Sequence, residues 1–362
     1  MRRFCAHWVV GVVVFGASGP LWAQVFIPVP PQGVVAEHRP HIVTNSSPPA
    51  GGDRLTTPGV AVSGVNHDGV GRFFLDRDPT PGVGTLCTGS LLWTGRHILT
   101  AAHCVTNAMG SINVLDGLDG NSITFNTSGG PVVVPFTSSQ ITVHPSWNGS
   151  VASGHDLAII TLPAEVSATV PRYNVNSSLM ADLNTTVVHF GYGRSGDGQT
   201  GSLLAGGSKR HGLNRYESNG FALAGYSNQA TMLMSDYDNL TGSAANDAFN
   251  FFFGSPLNGG FLGDEIGIAP GDSGGPGFIF NGTEWVIAGV HSYGLRLAFS
   301  GTGASSDVNG ALDASWGEFF GDARVAEASM LDFIMTTVPE PGTLLLLIGG
   351  VLLTGRRLRR AA

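Results

Sequence analysis

Lysine is nearly absent from this chain: Lys209 is the only one among 18 basic residues. Charge as a whole is sparse, 12% of 362 residues, which excludes a charge-rich disordered protein. What charge there is leans acidic. Between residues 4 and 339 stand 12 basic and 25 acidic side chains, so the body offers no basic stripe and argues against a nucleic-acid partner. Apolar runs of the ~20 residues that an ordinary spanning helix needs are also missing. Cysteine numbers only three. What is plentiful is glycine, 53 residues, beside an apolar content of 42%. That combination points to an ordered, loop-rich chain of many short strands rather than long helices.

The two ends differ from the middle. Residues 1–23 read as a secretory signal peptide. Arg2 and Arg3 form its positive start, Trp8 to Ala17 its apolar segment, and Leu21-Trp22-Ala23 a cleavage site before Gln24. Residues 24–59 are rich in Pro, Gly and Ser without apolar periodicity, as in an extended linker or pro-segment. At the other end, Val338-Pro339-Glu340-Pro341-Gly342 leads into an apolar stretch from Thr343 to Thr354. Arg356, Arg357, Arg359 and Arg360 follow. A small motif, a short apolar segment and terminal arginines have the logic of a tail recognised and processed at the membrane.

Between these ends, β-type runs alternate with turn residues. They lie at 72–75, 89–93, 97–99, 112–115, 132–136, 141–144 and 157–162, then at 186–190, 231–234, 249–253, 277–280 and 285–290. This predicts an all-β protein of antiparallel barrel or sandwich type, with a break around 163–182. The stretch 194–264 has weak patterning. One helix is predicted over about 323–335, with Val325, Met330, Leu331 and Ile334 on one face and Pro339 barring its continuation.

Ser273 sits in Pro270-Gly271-Asp272-Ser273-Gly274-Gly275-Pro276, a run almost free of side-chain bulk. There the backbone can approach a substrate carbonyl closely. A serine hydroxyl becomes a nucleophile with a histidine to take its proton and a carboxylate to orient that histidine. His103, in Leu99-Thr100-Ala101-Ala102-His103-Cys104, ends an apolar strand. Asp156, in His155-Asp156-Leu157-Ala158-Ile159-Ile160, stands at the mouth of another. Cys5 leaves with the signal peptide, so Cys87 and Cys104 remain in an exported chain and a disulfide between them is expected. The loop it closes is worth about 3 kcal/mol and pins the backbone beside His103.

Together these stretches resemble the trypsin-like (chymotrypsin-fold) serine proteases. Thr100 to Cys104 resembles that family's histidine motif, Asp156-Leu157-Ala158 its aspartate motif and Gly271 to Pro276 its serine motif, all in the family's order. Gly191-Tyr192-Gly193 resembles the opening of its second barrel, and Ser292-Tyr293-Gly294 the strand that binds substrate backbone. Arg324-Val325 with Leu331 to Ile334 resembles its closing helix. The resemblance covers about residues 60–336. It implies two antiparallel six-stranded barrels (about 60–170 and 180–322) with a C-terminal helix at 323–335, and a peptide substrate. It further implies His103, Asp156 and Ser273 as catalytic residues, and an oxyanion hole made by the N–H groups of Gly271 and Ser273. No cofactor or metal is required; the loop from Asp116 to Asn121 reads as a solvated turn rather than a calcium site.

This chain also departs from the family pattern. Gly267, six residues before the serine, occupies a specificity position and removes the charge that a preference for Arg or Lys requires. His291, just before Ser292, resembles the pocket histidine of glutamate-specific bacterial members, beside the plainer expectation of a wall-packing residue. Asp272 is the candidate activation latch, which in zymogen relatives pairs with a newly freed N-terminus. Such an N-terminus would arise near residues 54–61. The tail from 338 to 362 resembles a PEP-CTERM sorting signal, which implies export in a Gram-negative bacterium and an exosortase-type processing enzyme as partner. Membrane contact would run through the signal peptide and this tail. A non-catalytic, surface-anchored binding module on the same fold is the competing expectation. An esterase has Gly271-x-Ser273-x-Gly275 in its favour and the order His103, Asp156, Ser273 against it.

Overall fold

The computed structural model describes residues 54–117, 119–239, 247–254 and 265–339, and the backbone of 34–39 and 41–44. The signal peptide and the tail beyond Pro339 lie outside the described residues. Among these residues no helix is long and apolar enough to cross a membrane.

Two antiparallel sheets carry the fold. The first orders its seven strands as Gly130–Phe136, Asn121–Thr127, Val70–Asp76, Gly84–Leu91, His97–Thr100, Ala158–Thr161 and Ile141–Val143. Alternation explains its inner face: along Asn121–Thr127, Ile123 and Phe125 are fully buried while Ser122 and Thr124 are only half-buried. They meet Phe73, Ile98, Leu99 and Ile159 in one core. The second sheet runs Arg210–Tyr216, Thr185–Gly191, Pro276–Phe280, Trp285–Phe299, Phe319–Arg324, Met232–Asp236 and Ser218–Asn219. The two curled sheets match the expected pair of barrels, with seven strands in hydrogen-bonded order in each in place of six and an eighth, Val34–Arg39, joined to the second. The outermost strand at one end of each, Ile141–Val143 and Ser218–Asn219, is short.

The helix Ala328–Thr337 closes the chain by packing Met330, Phe333 and Ile334 into the first core, with Phe333 edge-on to His144. It starts later than the predicted 323 because Phe319–Arg324 is a strand. The carboxylate of Glu327 caps it, accepting from the N–H groups of Ser329 and Met330. Two further expectations are corrected. Residues 249–253 form the helix Ala248–Phe253, not a strand: Asp247 accepts from Asn250 N at its start and Gly254 ends it in the left-handed conformation. Residues 112–115 contribute an isolated bridge, Ile112 with Thr106, and no strand.

The segment before residue 60 also takes part in the fold. Val34–Arg39 pairs antiparallel with the far half of Trp285–Phe299, Val34 opposite Phe299 and Arg39 opposite Gly294. His41–Thr44 pairs with Ile266–Ala269 in a smaller four-stranded sheet. No apolar alternation marks these residues as strands.

Candidate active site

Strand pairing brings the histidine and aspartate motifs together. His97–Thr100 and Ala158–Thr161 are antiparallel neighbours with Thr100 opposite Ala158. The one-turn helix Ala102–Val105 after the first strand therefore faces the residues just before the second. Cys104 in that helix is bonded to Cys87, with Cα atoms 6.3 Å apart. Asp156 is fully buried. Its Oδ1 accepts from the backbone N–H of His103 at 2.8 Å, and its Oδ2 lies 2.7 Å from His103 Nδ1. The hydroxyl of Ser292 donates to the same Oδ2 at 2.5 Å. An ionised carboxylate only accepts, so the imidazole proton sits on Nδ1 and Nε2 is left as an acceptor. That Nε2 is buried and has no hydrogen-bond partner among the described residues.

Ser273 lies in the turn between Ile266–Ala269 and Pro276–Phe280. Thr88, on the strand that carries Cys87, holds this turn. Its N–H donates to Ser273 O at 2.8 Å and its hydroxyl to Gly271 O at 3.0 Å. Cys104 Sγ is 3.5 Å from the same Ser273 carbonyl oxygen. The serine is thus seated against the histidine helix, although no hydrogen bond joins its hydroxyl to His103 here. Such bonds are often long before substrate arrives. Among the described residues the N–H groups of Gly271 and Ser273 donate to no acceptor. Gly274 could not be another residue: its φ is +82°, and a Cβ there would stand 2.1 Å from Thr100 Oγ1 and 2.3 Å from Thr88 O.

Asp272 turns away from this group. Its carboxylate accepts from Gly193 N at 2.7 Å and Ala269 N at 3.2 Å. Burial pushes it well above the usual carboxylate range, against the lowering effect of the Gly193 bond and of Arg210.

The residues expected to line a side-chain pocket lie on two strands, Ile266–Ala269 and Trp285–Phe299. A Cβ on Gly267 would meet the ring of Phe320 at 2.5 Å and that of Tyr237 at 3.0 Å, and both rings are buried. The other strand holds Ser292, the buried Tyr293 and Gly294, with Gly294 opposite Phe320. His291 is fully buried and tied backwards, its Nδ1 3.0 Å from Asp322 Oδ1. Asp322 also takes the hydroxyl of Tyr216 and lies 3.8 Å from His189 Nδ1. Burial raises the Asp322 carboxyl, yet the charge and hydrogen bond of His291, helped by His189 and Tyr216, bring it below its usual range. The N-terminal strands pair with both strands, at Gly294 and along Ile266–Ala269.

The profile of the Trypsin family matches residues 73–310, well over half of the chain. The chain belongs to the trypsin family. Its fold is accordingly that of a trypsin-like serine protease. A second match, the PEP-CTERM protein-sorting motif, covers residues 337–360 and marks the trypsin-family chain as one sorted for export in Gram-negative bacteria. No curated protein is a significant match to it.

Sequence reasoning assigned Ser292 to substrate binding and missed its bond to Asp156; it did not single out Thr88 at all. Both act through the folded arrangement, and no local motif signals a hydroxyl that bridges two barrels. In the loop 116–121, Asp116 accepts from Ser138 N and from the Ser138 hydroxyl at 2.8 and 2.7 Å, and Asp119 from Gly82 N at 2.6 Å. This is a hydrogen-bonded turn.

Proposed function

We propose that this trypsin-family protein is an exported serine endopeptidase that works through an acyl-enzyme. The carrying observation is the buried Asp156 carboxylate: three donors fix it against His103, whose Nε2 is left without a hydrogen-bond partner among the described residues. His103 Nε2 takes the proton of Ser273 Oγ as the oxygen attacks the scissile carbonyl, then delivers it to the leaving amine. Water repeats the sequence on the ester. The imidazolium formed each time faces Asp156. The uncommitted N–H groups of Gly271 and Ser273 receive the developing oxyanion, where one such donor is worth about 3 kcal/mol.

Gly267 carries no charge and Phe320 closes the space beside it, which favours small, uncharged residues on the acyl side of the cut. His291 spends its Nδ1 on Asp322, so the glutamate-specific reading gains no support from it.

The mature unit is residues 60–336, preceded by the signal peptide 1–23 and the pro-segment 24–59 and followed by the sorting tail 338–362. The pro-segment reading is favoured by the strands that occupy both pocket walls before residue 45. Removal near residues 54–61 would clear the walls and free an N-terminus for Asp272. An exosortase-type enzyme would process the tail, leaving the protease in the envelope or outside the cell.

The test is cleavage of a peptide library by the full chain and by a chain starting near residue 60, with Ser273→Ala as control. Cleavage after small residues by the shortened chain alone is expected. Equal activity with Gln24 as the N-terminus overturns the pro-segment, and activity in Ser273→Ala overturns the mechanism.

A further inference from the structure

Away from the candidate active site, the second barrel holds five acidic side chains in one place. Asp236 ends the strand Met232–Asp236, Asp238 follows it, and Asp247 caps the helix Ala248–Phe253. Carboxylate oxygens of these three all lie within 4.8 Å of one another. Glu217 and Glu265 stand behind them, Glu217 accepting from Asp236 N at 3.3 Å and Glu265 from Asp238 N at 3.1 Å. Glu217, Asp236, Asp238 and Glu265 are buried, and Asp247 is half-buried.

Negative charge collected this way needs a counter-charge or protons. Among the described residues no ion pair reaches Glu217, Asp236 or Asp247. Asp236 shows the deficit most plainly. It is 1% exposed. Its Oδ2 accepts from Phe249 N at 2.9 Å, while Oδ1, aimed into the cluster, is buried without a hydrogen-bond partner.

We propose that Asp236, Asp238 and Asp247 bind a calcium ion, with Glu217 and Glu265 fixing the backbone that presents them. The donors are all oxygen, which suits a hard cation and not zinc. Several carboxylates from separate segments suit the high, adaptable coordination of calcium better than the small octahedral shell of magnesium, which keeps its waters. Asp247 gives the ion a path from solvent. The ion ties the strand end, the helix start and Glu265 together. Glu265 directly precedes Ile266–Ala269, so it also braces the pocket wall that Tyr237 packs against.

The test is calcium titration of the EGTA-treated full chain, followed by isothermal calorimetry and thermal unfolding. One calcium bound per chain and a rise of about 5–10 °C at a hundredfold excess over Kd are expected. Magnesium should give no comparable rise. Asp236→Asn and Asp247→Asn should both lose the calcium response. Should Asp236→Asn not fold, the half-buried Asp247→Asn carries the comparison alone. Identical unfolding in calcium and EGTA with no heat of binding overturns the site. So does a full calcium response in Asp247→Asn, or an equal response to magnesium.

Discussion

Replacing Asp156 by Asn tests the donor arrangement around that side chain. Three donors converge on the native carboxylate: His103 N–H, His103 Nδ1–H and the Ser292 hydroxyl. An amide keeps the shape but offers one accepting oxygen and two N–H groups. If its oxygen keeps any of these donors, its NH2 faces another, and the mobile one is the imidazole proton 2.7 Å away. The ring then adopts the other tautomer, with its proton on Nε2, and no longer accepts from Ser273. A lost hydrogen bond to the charged imidazolium contributes about 1.5–3 kcal/mol, and the wrong tautomer adds to it. The same exchange in a Ser-His-Asp triad lowers kcat by about 10⁴, which corresponds to about 5.5 kcal/mol in the barrier. The assay is kcat/KM on a peptide that the processed wild-type protein cleaves, with circular dichroism to show that the variant is folded. A loss of about 10³ to 10⁴ is expected. A folded variant that loses less than about tenfold would refute the assignment of Nδ1 as the bonded, protonated nitrogen.

Three other outcomes follow from buried contacts. Phe320→Ala should open the space beside Gly267 and shift preference toward larger apolar residues by about tenfold or more in kcat/KM, read from a peptide library. Arg324 holds Asp182 through two bonds of 2.8 and 2.7 Å in a buried pair. Arg324→Met should therefore cost about 3–5 kcal/mol and lower Tm by about 6–20 °C, whereas changing both partners to apolar residues should cost less. Burial pushes Lys209 down to about 7 while its ammonium donates to His67 O and Val70 O. The unfolded chain keeps that proton to higher pH, so this residue's contribution to stability rises as pH increases from about 7 toward the ordinary lysine value. Tm of the native chain measured against Lys209→Met should climb across that interval, and a flat difference would count against it.

The parts of the site that were legible in the sequence are those written in local chemistry. Thr100 to Cys104, Asp156 to Ile160 and the glycine-rich run around Ser273 each combine an apolar strand with a reactive side chain at its end. Errors arose where a neighbour decided the outcome. Phe249 to Phe253 is an aromatic run of the kind that favours strands, but Asp247 and Gly254 cap it as a helix. The strands at 34–39 and 41–44 form because Trp285–Phe299 and Ile266–Ala269 offer edges to pair with, which no residue before 45 announces. The carboxylate cluster draws on Glu217 and Glu265, remote in sequence from each other, and only the second barrel brings them together. The hydroxyls of Thr88 and Ser292 were hidden for the same reason.

The central claim is that Ser273 is a nucleophile activated by His103 and Asp156. Its most direct test is reaction of the folded, processed protein with a serine-directed phosphonate, followed by peptide mapping. One adduct per chain, on Ser273, absent from Ser273→Ala and strongly slowed in His103→Ala, is the result the account predicts. Folded, processed protein that takes up no phosphonate would contradict it and leave a binding module on a protease fold.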